Sequence, residues 1–286
     1  MSITVMELVD NISDEISLPD TVMQVNQMVN NPHFSAADIG DTLSSNQALT
    51  ARVLRIANSP FFDFPSHISN VHRAVTVIGN RELRDLLLAT SAIDIFDKLP
   101  NDLVSMETFW RHSLRCAVIA RSLAMHLHKT NVERYFTAGL LHDIGSLVIN
   151  YQLPKHAKKI LEKSSHYRQW RFIIEQEELG FNHADVGGEL LRRWGLPEYL
   201  ITSVEHHHTP GLAKCHQQDA AIAHIANYLS NTTLSNIGEN LEASAALDFT
   251  ALQIAGLSPD DLQSITKHSD KKFNDTLEIM VYDQVA

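Results

Sequence analysis

The run AGLLHDIGSLVINY, residues 138–151, sets an imidazole and a carboxylate, His142 and Asp143, side by side in an otherwise apolar segment. Burying such groups costs free energy unless partners hold them. The segment therefore predicts a packed region in which the pair is met by polar groups from elsewhere in the chain.

Outward from this run, helical periodicity dominates and no segment sustains strand alternation. Helices are expected after Pro19 in DTVMQVNQMVNN, at SAADIGDTLSS, where Ser35 and Asp38 form a capping-box pattern, and at QALTARVLRIANS. SNVHRAVTVI follows, broken by Gly79, and then RELRDLLLATSAIDIF. Pro100 with NDLVS marks the expected boundary, followed by a long helix from Glu107 to His128. Beyond the His142 segment, AKKILEKS, RFIIEQEE, HADVGGELLRRW, EYLITSVEHHH and DAAIAHIANYLS continue the pattern, with at least one further helix in 250–285. The expectation is an all-α protein. A helical N-terminal lobe, residues 1–105, is packed on a helical core, residues 106–230. A C-terminal helical extension, residues 231–286, docks through the apolar faces of FTALQIAGL and TLEIMVY.

With 286 residues, 44% hydrophobic and 20% charged, the chain can bury a sizeable core and reads as an ordinary globular protein. No apolar run approaches the roughly 18 residues needed to span a bilayer. The acidic start MSITVMELVDNISDE lacks the basic region of a signal peptide, and the two cysteines, Cys116 and Cys215, suit reduced thiols. A cytoplasmic location without membrane attachment is expected. The formal net charge of −11 is opposite to the balance phosphate contacts favour, which argues against duplex nucleic acid as a partner.

Sixteen histidines is a high count, and their placement matters more than their number. A helix advances about 100° per residue, so positions three and four apart share a face. His112 then aligns with Cys116, Ile119 and Leu123, and His183 with Gly187, Leu190 and Trp194. In EYLITSVEHHHTP, Leu200 and Val204 set the inward face, His207 and His208 straddle it, and His206 points the other way. Each histidine alone is readily explained as a core residue bonded to a backbone carbonyl. Together with the His142–Asp143 pair, the alternative is one shared divalent cation held by neutral imidazoles and a carboxylate.

Other candidates are weaker. Cys116 is one turn from His112, but a buried cysteine usually packs as a small hydrophobe. KCH at 214–216 lacks a partner pair for zinc. His126, His128, His156 and His166 read as solvated, and Arg192–Arg193 as a solvated face. AGLLHDIG is not a glycine-rich phosphate loop.

RHSL, LLHDIG, HADVGGELLRRWGLP and HHHTP resemble the HD phosphohydrolase superfamily. LSSNQALTARVLRIANSPFF followed by ISNVHRAVTVIGNRELRDLLLATS resembles the HDOD domain, an HD-related output domain, so the similarity runs over residues 15–230. It implies an all-helical, HD-like core and a role in bacterial signalling, with cyclic-di-GMP phosphodiesterases of the HD-GYP type as the catalytic relatives. It also implies a ligand set. His112, the His142–Asp143 pair and a later aspartate would hold one metal, and Asp143 would bridge to a second held by His183, His207 and His208.

Two departures qualify what the resemblance implies. The later aspartate falls on Asn227, whose amide oxygen can coordinate but neutralises no charge, and Asp219 lies eight helical residues away. The HD-GYP lysine after HDIG is replaced by Ser146, and the GYP signature is absent. The first expectation is a signalling module with a retained pocket for iron, manganese or zinc and weak or no hydrolysis. In it, His142 and Asp143 stand at the catalytic position. The second is an active phosphohydrolase acting on a nucleotide or cyclic dinucleotide, and the third a metal-free scaffold. No receiver or kinase motif occurs in the sequence, so a separate signalling protein is the expected partner.

Overall fold

Sixteen α-helices and no strand occur among the described residues of the computed structural model, which are 3–58, 67–100, 102–167, 171–231 and 247–280. SPFF at 59–62, the last two residues of TLEIMVY and the His166 side chain lie outside them.

The first six helices are α1 (Val5–Asp10), α2 (Asp20–Val29), α3 (Ala36–Ser44), α4 (Gln47–Ala57), α5 (Val71–Ile78) and α6 (Asn80–Phe96). Helix α1 is too short for periodicity to announce. It is fixed by a capping box in which Thr4 and Glu7 bond each other's backbone N–H. The expected Ser35–Asp38 box caps α3 in the same way. Then come α7 (Met106–His126), α8 (Glu133–Leu141), α9 (Ile144–Gln152), α10 (Pro154–Tyr167), α11 (Arg171–Leu179), α12 (His183–Arg193), α13 (Glu198–Glu205) and α14 (Gln217–Asn231). Helices α15 (Phe249–Ala255) and α16 (Pro259–Met280) complete the chain.

One apolar core runs from Leu8, Val25, Ile39 and Leu87 in the first helices through Phe136, Ile144 and Val148 to Leu190 and Val204. A second core joins Ile119 and Leu123 of α7 to Ile222 and Leu229 of α14, Leu252 of α15 and Ile265 of α16. The extension is thus held by burial of its own apolar faces, the main favourable term in folding. Polar ties run alongside. Trp194 Nε1 donates to the Ile16 carbonyl at 2.9 Å, fastening the end of α12 to the N-terminal segment. The buried Arg84 guanidinium donates to Asp85 Oδ1 at 2.8 and 3.0 Å, and Tyr199 OH donates to the same carboxylate, joining α6 to α13.

Two close helix crossings position the chemistry-bearing residues. An ideal Cβ on Gly139 of α8 would lie 2.7 Å from the Ala117 Cα of α7. One on Gly145 of α9 would lie 2.1 Å from the His183 carbonyl oxygen and 2.5 Å from the Gly187 nitrogen of α12. Real Cβ atoms do not approach so closely, so only glycine admits these crossings. The glycines of AGLLHDIG therefore serve helix packing. One brings α7, which carries His112, against α8, which ends at His142. The other brings Asp143 at the head of α9 against His183 at the head of α12.

Candidate metal centre

The His142–Asp143 pair occupies the break between two helices. His142 is the C-cap of α8, and Asp143 is the N-cap of α9 with φ −100° and ψ 6°. An aspartate at an N-cap ordinarily accepts backbone N–H bonds. Asp143 makes no such bond, and its carboxylate faces four imidazoles. Asp143 Oδ1 lies 3.2 Å from His183 Nε2 and 3.5 Å from His207 Nε2. Asp143 Oδ2 lies 3.3 Å from His142 Nε2 and 3.7 Å from His112 Nε2. His208 Nε2 is 2.9 Å from His183 Nε2. The structure thus brings together His112, His142, Asp143, His183, His207 and His208.

The Nδ1 atoms explain why the Nε2 atoms point inward. His142 Nδ1 bonds the Gly139 carbonyl at 2.8 Å, and His207 Nδ1 bonds the Val204 carbonyl at 2.7 Å. His183 Nδ1 bonds Glu175 Oε2 at 2.5 Å. A neutral imidazole that donates through Nδ1 presents its Nε2 lone pair, the state a metal ligand requires. The His208 ring stacks on Phe172 at 4.1 Å.

Helix α13 ends at Glu205, so the three consecutive histidines lie in a turn and not on the helical face expected from EYLITSVEHHH. The following Thr209–Pro210 disfavours a continued helix. His207 is buried because this turn folds inward, held by His224, whose Nδ1 donates to the His207 carbonyl at 2.7 Å. His206 is a half-exposed C-cap whose Nε2 is 3.9 Å from Glu205.

Burial opposes charge on every imidazole here, and at His112 and His207 it prevails, lowering both to about 4, with neighbouring imidazoles adding to the effect. Burial beside His207 and His183 likewise holds His208 well below its ordinary value. At His183 burial is outweighed by the Glu175 and Asp143 carboxylates, which raise it to about 9. His142 is raised by Asp143 against the same burial cost. Against its own burial, Asp143 is held well below the usual carboxylate range by the His142 charge and by the His183 and His207 rings that face it. The two carboxylates thus create a demand for positive charge at His142 and His183, beside the lone pairs of His112, His207 and His208, which remain free at neutral pH.

Three buried polar atoms, His142 Nε2, His207 Nε2 and Asp143 Oδ1, have no hydrogen-bond partner. Orphaned groups of this kind call for a ligand. The ligand atoms fall into two groups, each within 4.8 Å: Asp143, His183, His207 and His208, and then His112, His142 and Asp143. Asp143 belongs to both. This donor set fits a divalent transition metal.

Asn227 sits on α14 beside the second group, where its side chain neighbours His112 and its Oδ1 accepts from Asn231 at 3.0 Å. Asp219 is engaged elsewhere, pairing with Arg134 at 2.7 Å, so it supplies no charge in place of Asn227. Ser146 is buried one turn beyond Asp143. Cys116 is buried and falls outside both groups. His126, His128 and His156 are exposed. Arg193 pairs with Glu189 and Asp10, and Arg192 with Glu205.

Sequence reasoning missed Glu175. It is fully buried on α11, accepts from both His183 Nδ1 and the His183 backbone N–H, and pairs with Arg171 at 2.8 Å. Arg171 in turn donates to Asn150 of α9 at 3.1 Å. The available signal was a carboxylate directly after two isoleucines in RFIIEQEE, one of several acidic residues on that helix.

Residues 16–210 match the family model of the HDOD domain. A curated, uncharacterised protein of Treponema pallidum is 25% identical over 202 residues, which is 70% of this chain and 39% of that protein. The chain thus spans well under half the length of that relative. Among solved structures, a Shewanella amazonensis protein provisionally named a phosphohydrolase superposes with a TM-score of 0.75 at 24% identity, covering 98% of both chains. A Geobacter sulfurreducens HDOD domain protein of unknown function does so at 0.76 and 22%, covering 96% of this chain and 98% of its own. At these identities the likeness shows a shared fold. No described helix is long and apolar enough to cross a membrane.

Proposed function

This chain belongs to the HDOD domain family, and from that premise we propose that it is a signal-transduction output module and a degenerate metal-dependent phosphohydrolase. In this reading one divalent transition metal (iron, manganese or zinc) is held by Asp143, His183, His207 and His208, and hydrolysis is weak or absent. The observation that carries it is the inequality of the two ligand groups. One has a carboxylate and three imidazoles complete. The other is flanked by the neutral amide of Asn227 where an anionic ligand is needed, and losing that anion weakens cation binding.

A bound cation would supply Lewis acidity toward a phosphoryl oxygen and an acidified water. The chain's own contribution is to orient the rings of His142, His183 and His207 through their Nδ1 bonds, hold Asp143 ionised and offer its two oxygens to both groups. Ser146 leaves the turn after Asp143 without a cation, so phosphoryl charge developing there is poorly stabilised. The partner in this reading is another signalling protein. That Asp143 serves both groups favours a second reading, an active phosphohydrolase acting on a nucleotide or cyclic dinucleotide.

Metal content and turnover separate the two. Protein prepared anaerobically with iron or manganese, without chelator or nickel resin, should contain about one metal per chain and turn over a phosphodiester panel slowly or undetectably. Asn227→Asp restores the missing anion and should move occupancy toward two. Brisk wild-type turnover that is abolished in Asp143→Ala would replace the first reading with the second.

A further inference from the structure

A cleft of about 480 Å³ opens beside His112, between α7 and α16. Its volume falls within the range of about 300–1,000 Å³ usual for small-molecule sites. The chain as a whole is acidic, with a net charge of −11, yet this cleft inverts the balance. Its lining includes Thr108, Arg111, Arg115, Ser230 and Asn274, all hydrogen-bond donors, and a single carboxylate, Asp270. That carboxylate is held by Arg115 at 3.2 Å, and Arg115 also donates to the Ser230 carbonyl at 3.0 Å. The Arg115–Asp270 pair is therefore neutral and fastens α7 to α16.

Arg111 stands one helical turn before Arg115, so both flank His112 on α7. Its guanidinium lies 5.6 Å from the centroid of the Phe273 ring, and it forms no ion pair among the described residues. Its charge is the uncompensated one in the cleft. Arginine forks match phosphate oxygens, and a ring beneath the guanidinium limits the rotamers it must give up on binding. Helix α16 lies beyond the residues that match the family model, which end at 210.

We propose that the cleft between α7 and α16 is an anion subsite that seats the phosphate of a nucleotide-sized phosphate ester, with Arg111 as its cation. His112 borders both this cleft and the second ligand group, so the subsite adjoins the Asp143 cluster. The subsite also supplies a cation to a pocket that lacks one at Ser146. This deepens the reading above and rests on it only for what meets the ligand's far end.

The test is calorimetric titration of the full chain with AMP, ribose 5-phosphate and adenosine, with metal loaded and after chelation. AMP and ribose 5-phosphate should bind in both states, and adenosine at least tenfold more weakly. Arg111→Ala should weaken the two phosphates tenfold or more, leaving metal content and melting temperature unchanged, and Arg111→Lys should recover part of the loss. Asn274→Ala, also exposed, should weaken them by a smaller factor. The proposal is overturned if adenosine binds as well as AMP, if Arg111→Ala binds the phosphates as wild type does, or if neither phosphate binds at millimolar concentration. Failure of the metal reading shows separately, as protein without metal that still binds phosphate through Arg111.

Discussion

Gly145→Ala is expected to cost about 3 kcal/mol or more of stability and to abolish metal retention. The added Cβ would stand 2.1 Å from the His183 carbonyl oxygen and 2.5 Å from the Gly187 nitrogen. Both are backbone atoms, so no rotamer change relieves the overlap and α9 must move away from α12. Those helices begin at the two residues the site most needs adjacent, Asp143 and His183, whose carboxylate and Nε2 are 3.2 Å apart. A shift on the order of 1 Å is large beside a metal–ligand bond of about 2 Å. Denaturant unfolding and metal analysis of the variant check this, with Gly211→Ala as the control. At Gly211 the nearest atom to a new Cβ is the Thr250 methyl at 3.9 Å, so little should change. A Gly145→Ala protein with wild-type stability and metal content would mean that the crossing does not position the site.

The same crossing shows where the sequence was legible and where it was not. Helical periods announced α2 to α7 and α10 to α14, and at least one helix where α15 and α16 lie, because each hides an apolar face at three- and four-residue spacing. Both His112, partly buried on α7, and His183, buried on α12, sit within regular helices where three- and four-residue spacing applies. The reading of His207 and His208 named two residues that join the Asp143 cluster, but by the wrong geometry. It extended α13 through a turn that Pro210 helps to enforce, and burial there depends on His224 from a distant segment. Gly139 and Gly145 could be read as something other than a phosphate loop. Their actual task is contact with Ala117, His183 and Gly187, and no local pattern states which helix crosses which. Asn227 was legible through the resemblance, whereas its place beside His112 is a property of how α14 lies against α7. Across the expected boundary at residue 105 the apolar core passes from α6 through α7 to α8.

Glu175→Gln should weaken metal affinity about 10- to 100-fold while the protein still folds, because a carboxylate behind a ligating imidazole raises its basicity and fixes its orientation. Glutamine retains an oxygen to accept from His183 Nδ1 and from the His183 backbone N–H, the two bonds now made at 2.5 and 2.8 Å. What it loses is charge. With Glu175 neutral, His183 becomes a poorer donor, and the Arg171 guanidinium, 27% exposed, loses its ionic partner and keeps its bond to Asn150. Glu175→Ala removes the acceptor as well and leaves the buried His183 N–H groups unsatisfied, so about 3 kcal/mol of stability should go with it. The comparison separates the two roles. If Glu175 only supports the fold, Gln should bind metal like wild type and Ala should fail by unfolding. If it tunes the ligand, metal-binding isotherms of the folded Gln protein should shift by at least tenfold. A ligand-sensitive spectrum, such as that of a cobalt-substituted site, should change with them. An unchanged isotherm and spectrum for Glu175→Gln would reduce the residue to a structural anchor of α11 against α12.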